Sequence, residues 1–114
     1  MEHAAQVVNV LVNEIDNEDG VHLYLEGNKW CAYERSAYYL AQLKVPVVIK
    51  KEIVRDGYDV VLLKAFFEVD DMRLPLAPKT VLKSVADDKL LFQLKDQIDG
   101  FPEWKACQLN KLPA

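Results

Sequence analysis

The sequence predicts one α+β domain over residues 1–114, in which helices pack on a mixed sheet built from two β-hairpins. The chain has 114 residues, of which 51 % are hydrophobic and 28 % are charged. This balance excludes a disordered or collagen-like chain, and the length fits a single domain. Two dipeptides that favour tight hairpin turns, Gly27-Asn28 and Asp56-Gly57, each lie between β-rich segments.

The first predicted element is a helix over residues 4–15. Its expected apolar face consists of residues at helical spacing, with Asn9 and Asn13 pointing outward. The members of that face are Val8, Leu11, Val12 and Ile15. The segment is also rich in β-branched residues, so a strand remains the alternative.

A hairpin and a short helix follow. Residues 21–26 alternate between apolar and polar, and residues 30–33 supply the returning strand after Gly27-Asn28. Ser36 is expected to cap a helix that ends before Pro46. Residues 47–54 and 58–69 then read as a second hairpin, and the later strand is apolar on both faces. We therefore expect that strand to lie centrally, covered on both sides.

The last third predicts a connector, a helix and a strand. Pro75 and Pro78 mark the connector, and Thr80 is expected to cap a turn of helix through residue 85. A longer helix capped by Asp87 or Asp88 is expected to end at Gly100, because Leu90, Leu91, Leu94 and Ile98 have helical spacing. Residues 103–109 are expected to form a short final strand.

No catalytic or metal-binding motif is present, so the sequence predicts a non-catalytic protein without a cofactor or metal. Nucleophile-elbow, phosphate-loop, dinucleotide and zinc-protease patterns are all absent. The acidic pairs Asp70-Asp71 and Asp87-Asp88 fit helix caps better than paired catalytic carboxylates. Cys31 and Cys107 are expected to be reduced, half-buried packing residues, with a single disulfide as the alternative.

Charge is distributed unevenly around a net value of −4. Residues 1–28 contain six acids and no lysine or arginine, whereas residues 29–55 contain six bases and two acids. A basic, aromatic-rich segment either faces phosphates or forms a solvated surface that pairs with the acids. Its ring-bearing residues are Trp30, Tyr33, Tyr38 and Tyr39. The sequence favours the core for Tyr33 and leaves Trp30 open between core and surface.

Residues 23–37, LYLEGNKWCAYERSA, resemble the N-terminal mismatch-recognition domain of MutS proteins. That family shows an apolar strand, then G-D-F-Y-E-x-F, then an acidic helix start leading to alanine. The resemblance covers about the first half of the chain. It implies a MutS domain I-like fold, with Gly27, Tyr33 and Ala37 holding structural positions.

The recognition residues of the MutS motif are not kept. Lys29 stands where the family has the phenylalanine that wedges beside a mispaired base, and Cys31 stands where it has the glutamate that hydrogen-bonds that base. An ammonium group cannot stack as a ring does, and a thiol is a poor acceptor. The clamp, lever and ATPase domains of MutS have no counterpart in these residues.

Two binding functions follow as hypotheses, with an enzyme as the remaining alternative. The first is weak nucleic-acid binding in a DNA-repair-like context, for which the candidate contacts are Lys29, Trp30, Arg35, Lys50, Lys51 and Arg55. The second is a protein–protein or regulatory module that keeps the fold without DNA. No apolar stretch approaches the roughly 20 residues of a membrane span, so we expect a cytoplasmic protein without a membrane partner. The sequence leaves the oligomeric state open.

Overall fold

The computed structural model describes residues 10–55, 59–68 and 79–112, which form an α+β domain with a six-stranded sheet. The described part of helix α1 comprises residues 10–15. The remaining elements are β1 (Gly20–Glu26), β2 (Lys29–Tyr33), α2 (Arg35–Gln42), β3 (Val48–Arg55), β4 (Asp59–Glu68), β5 (Thr80–Val85), β6 (Lys89–Leu94) and α3 (Phe101–Lys111).

Every strand pairing in the described sheet is antiparallel, so the expected mixed sheet is wrong. The strand order is β3-β4-β2-β1-β6-β5. Consecutive strands pair as β1–β2, β3–β4 and β5–β6 over short connections, whereas a parallel pair would need a crossover of about a dozen residues. The first predicted hairpin is confirmed, and Gly27 has the positive φ of 65° that its turn requires.

One face of the sheet, here called the covered face, lies under α2 and α3. Strand β2 contributes Trp30 and Ala32 to this core, and β4 contributes Ala65 and Phe67. Helix α2 adds a fully buried Leu40. Helix α3 packs through Phe101 and Trp104, whose rings lie 6.1 and 5.2 Å from the ring of Tyr38.

The opposite face, here called the open face, has a smaller core beneath α1. Val10 of α1 clusters there with Tyr24, Cys31, Tyr33 and Leu62. The alternation predicted for β4 is therefore confirmed, because Leu62 and Phe66 lie on this face and Ala65 and Phe67 on the other. As expected, β4 is an interior strand.

The apolar face predicted for α1 is right for Leu11, which packs against the open-face core, and wrong for Val12 and Ile15. Val12 is 66 % and Ile15 is 78 % exposed, whereas Val10 and Glu14 are buried. The helix is rotated because Glu14 makes buried hydrogen bonds that an apolar residue could not make. Asn13, expected to point outward, donates a hydrogen bond of 2.8 Å to the Tyr24 hydroxyl.

Ser36 does not cap α2. The N-cap is Glu34, whose φ is 52°, and no side-chain hydrogen bond caps this end. The Ser36 hydroxyl instead accepts the His22 backbone N–H at 2.9 Å. The Glu34 carboxylate fixes the helix start by accepting the Leu63 N–H at 2.9 Å and by pairing with Lys105 at 2.5 Å.

Three predicted elements of the last third are wrong. The helical turn after Thr80 is strand β5, and the helix expected up to Ile98 is strand β6, which pairs with both β1 and β5. The apolar spacing also fits a strand, since Leu90, Phe92 and Leu94 all face the covered core. The predicted final strand is helix α3, which starts after Gly100 with proline in its first turn.

Several expectations lie outside the described residues. These are the helix over residues 4–9, the Asp56-Gly57 turn, the Asp70-Asp71 pair and the connector at Pro75 and Pro78. None of the helices within the described ranges is long and apolar enough to cross a membrane.

Truncation of Leu62 tests whether this side chain of β4 is buried in the open-face core. Leu62 is 2 % exposed and its neighbour Val61 is 37 % exposed. We expect Leu62→Ala to lower the free energy of unfolding by about 2–5 kcal/mol, because it leaves a cavity in the open-face core. Val61→Ala is expected to cost less than about 1 kcal/mol. Equal losses for the two variants in urea denaturation would contradict this placement of β4.

Candidate functional site

A polar depression of about 210 Å³ lies on the open face, and two of its lining residues, Cys31 and Phe66, also belong to the core beneath α1. Four adjacent strands, β1 to β4, contribute its walls. Strand alternation and register bring these side chains together, since Cys31 is opposite Phe66 and Lys50 is opposite Lys64. The lining residues are Glu26, Lys29, Cys31, Lys50, Lys64 and Phe66.

Lys64 forms the floor of the depression and is neutralised by two carboxylates. Its Nζ lies 2.8 Å from Oε1 of Glu26 and 3.4 Å from Oε1 of Glu52, with only 12 % of the side chain exposed. Burial works to lower the pKa of Lys64, but the hydrogen bond and charge of Glu26 outweigh it, so the pKa is raised. Lys64 therefore remains charged and is committed to Glu26 and Glu52.

Tyr33 completes this charged floor. Its hydroxyl donates to Oε2 of Glu26, the carboxylate oxygen that Lys64 does not contact. Burial, followed by the hydrogen bond to Glu26, raises the pKa of Tyr33, so the phenol keeps its proton. The pKa of Glu26 is lowered, because Lys64 and Tyr33 together outweigh the effect of burial. The floor is thus a fixed and internally satisfied polar network.

Lys29 and Lys50 differ from Lys64 because neither has an ion-pair partner among the described carboxylates. Lys29 is half-buried and Lys50 is exposed. Their ammonium groups lie 5.8 and 6.0 Å from the centre of the Phe66 ring. Two cations therefore flank one half-buried aromatic ring, an arrangement that attracts an anion.

Cys31 is not a reactive thiol in this setting. It is 1 % exposed, and burial, reinforced by the nearby charge of Glu26, raises its pKa to about 12. The thiolate form needed for nucleophilic or redox chemistry is therefore suppressed. Both cysteines are free, and Cys107 is exposed on α3 rather than half-buried as expected.

Among the five candidate contact residues whose side chains the structure describes, two lie together. Lys29 and Lys50 share the depression, whereas Lys51, the next residue of β3, belongs to the opposite side of that strand. Arg35 lies at the start of α2, 4.8 Å from the centre of the Phe101 ring. Trp30 is 8 % exposed in the covered core, which leaves no free ring face for a base.

The Arg55 side chain lies outside the described residues. The three motif positions expected to be structural are all placed. Gly27 occupies the β1–β2 turn with a φ of 65°. Tyr33 lies in the open-face cluster, and Ala37 is a fully buried residue of α2.

Sequence reasoning missed the residues that organise the depression, namely Lys64, Glu26, Glu52 and Phe66. A signal existed, because Lys64 interrupts an apolar strand face between Leu62 and Phe66, and a buried lysine needs a carboxylate. The identity of that carboxylate depends on strand register. In the part of the chain that the structure describes, no three acidic, histidine or cysteine residues are grouped so that they could hold a metal.

Thiol labelling tests whether Cys31 is buried beside the depression. We expect one cysteine, Cys107, to react with a disulfide reagent in the native protein, and Cys31 to react only after denaturation. Cys107 is exposed, whereas Cys31 is buried and has a raised pKa, so little of its thiol is ionised to react. Cys107→Ser should abolish the fast phase. Two thiols of similar rate in the native protein would contradict the burial of Cys31.

Comparisons of the chain with protein-family models, with curated proteins and with solved structures find no match in any of the three.

Proposed function

We propose that this protein is a non-catalytic binding domain that contacts nucleic acid weakly through Lys29 and Lys50 on the open face. The observation that carries the proposal is the pair of ammonium groups beside Phe66, neither of which is neutralised by a described carboxylate. Lys64, the third lysine of the depression, is already neutralised by Glu26, so we do not expect it to contact a phosphate.

The charge of the chain sets the strength of this contact. Each lysine that neutralises a phosphate releases counterions, so two such contacts give a small, salt-sensitive affinity. The net charge of −4 opposes strong nonspecific binding. The polar lining of the depression suits a phosphate rather than an apolar group, because only Phe66 and Cys31 are not charged.

The partial resemblance to the MutS recognition domain also supports contact with DNA. Lys29 occupies the place of the wedge residue, and in the structure it lies at the start of β2, directly after the Gly27-Asn28 turn. A lysine there reaches a phosphate but does not intercalate. We therefore propose binding in a DNA-repair-like context without preference for a mismatch.

A protein partner is the second candidate, and edge strand β5 favours it. Val81, Leu82 and Val85 are 47, 50 and 66 % exposed, and among the described strands β5 pairs with β6 alone. An exposed apolar edge is a surface on which another chain can add a strand. This edge is at the other end of the sheet from β3, which carries Lys50.

Charge reversal separates the two candidates. We expect Lys29→Glu and Lys50→Glu each to weaken binding to a fluorescent DNA oligonucleotide several-fold at roughly 50 mM salt, and to reduce the salt slope by about one ion. Lys51→Glu is the matched control, because it makes the same charge change on the other side of β3. Its salt slope should equal that of the wild type.

Two results would contradict the proposal. The first is an absence of DNA binding at this low salt, which would leave the protein partner as the better candidate. The second is an equal loss in all three variants, which would show that net charge alone governs the affinity.

A further inference from the structure

Glu14 is a buried carboxyl group that the proposed function does not use. It lies in the last turn of α1 and is 6 % exposed, where α1 meets the start of α2 and the start of β1. No basic side chain of the described residues is within ion-pair distance of it. A buried carboxylate without a cation is costly, so its surroundings need explanation.

Neutral donors surround the carboxyl group. Oε2 lies 2.5 Å from the Ser36 hydroxyl oxygen. Oε1 accepts the Ser36 backbone N–H at 3.2 Å and the Asn17 side-chain amide at 3.0 Å. Asn17 is held in turn by Gly20, whose carbonyl it contacts at 2.7 Å. One side chain of α1 thereby ties this helix to α2 and to β1.

Ser36 allows this network to accept a proton without losing a hydrogen bond. Its hydroxyl oxygen accepts the His22 N–H at 2.9 Å and also lies 3.3 Å from the Gly20 carbonyl. When Glu14 is ionised, the Ser36 hydroxyl donates to the carboxylate. When Glu14 is protonated, its own hydroxyl donates to Ser36, and the Ser36 proton turns to the Gly20 carbonyl. Both protonation states are thus satisfied.

Burial outweighs the hydrogen bonds from Asn17 and Ser36, which lower the pKa of Glu14, so the protonated state is favoured. Burial raises the pKa of Glu14 to about 7, and the charge of Glu34 on the α2 side acts in the same direction. From β1, His22 has a pKa lowered by burial and Tyr24 one raised by burial, so both are neutral near pH 7. From α2, Tyr39 donates its hydroxyl to the Glu18 carbonyl, and the Arg35 guanidinium lies against Phe101.

We propose that Glu14 is a proton-operated latch, which holds α1 on the open face tightly when protonated and more loosely when ionised. The other described attachments of α1 are modest. They comprise Val10 and Leu11 in the open-face core and the hydrogen bond from Asn13 to Tyr24. Because they lie on the same helix as Glu14, they loosen together with it.

The packing of α1 determines how far the tyrosines beneath it are exposed to solvent. Tyr24 and Tyr33 are 3 and 8 % exposed there, with ring centres 6.0 Å apart. The Tyr33 hydroxyl reaches Glu26 in the polar depression. Release of α1 at higher pH would therefore expose the sheet beside that depression, whatever ligand the depression binds.

Hydrogen exchange of the α1 amides tests the latch. The carboxyl pKa is about 4.5 when exposed and about 7 when docked, so the docked state binds the proton more tightly. Protection of residues 10–15, corrected for intrinsic exchange, should fall as pH rises from about 4.5 to about 7 and stay constant above that. The expected loss is on the order of 100-fold, while β4 amides serve as the reference.

Two variants separate Glu14 from other groups. Glu14→Gln mimics the protonated form and should remove the loss of protection. Any dependence that remains in it should have the opposite sign, because a buried neutral His22 resists protonation at low pH. Glu18→Gln is the control, since Glu18 is an exposed acid just after α1, and it should behave as the wild type.

Direct titration of the Glu14 carboxyl by NMR keeps the proposal testable if Glu14→Gln fails to fold. A midpoint near 7 in the wild-type protein supports the latch. A midpoint near the ordinary value of 4.5, or α1 protection that is constant over this pH range, would overturn it.

Discussion

The alternation of β2 in the middle of the sheet is the constraint on which the rest of the structure depends. This strand of five residues pairs with β1 on one side and with β4 on the other. Trp30 and Ala32 therefore face α2 and α3, while Cys31 and Tyr33 face α1. A shift of register by one residue would exchange the two faces and would bury Lys29 under the helices.

The two faces of the sheet are covered to different extents by the described helices. Helices α2 and α3 seal the covered face with Tyr38, Phe101 and Trp104. On the open face the described part of α1 packs on Tyr24, Cys31, Tyr33 and Leu62, and charged residues lie toward the β3 end. Lys64 is satisfied there by Glu26 and Glu52, so Lys29 and Lys50 hold the unneutralised positive charge.

The parts of the fold that follow from local sequence were predictable. The turn at Gly27-Asn28 and the alternation of β4 are local patterns, and both strands of each early hairpin were placed within a few residues. The region from Thr80 to Leu94 was not predictable in this way. Its leucine spacing fits both a helix and a strand, and pairing of β6 with the distant β1 decides between them.

The residues of the candidate site were also predictable only where local sequence identifies them. Lys29 and Lys50 were identified from the basic composition of residues 29–55, but Phe66 and Lys64 join them only through strand register. The role of Glu14 was also hidden, because a glutamate in an amphipathic pattern reads as a solvated residue. Its burial depends on Ser36 and Asn17, which donate hydrogen bonds from outside α1.

The measurement that tests the central claim most directly is NMR shift mapping of the isotope-labelled protein with a DNA oligonucleotide. The claim is that binding belongs to the open face at the β3 end of the sheet. We expect shifts at the amides of Lys29, Lys50 and Phe66, with the amides of α3 unchanged. Shifts concentrated on α2 and α3 would contradict it, since those helices cover the other face.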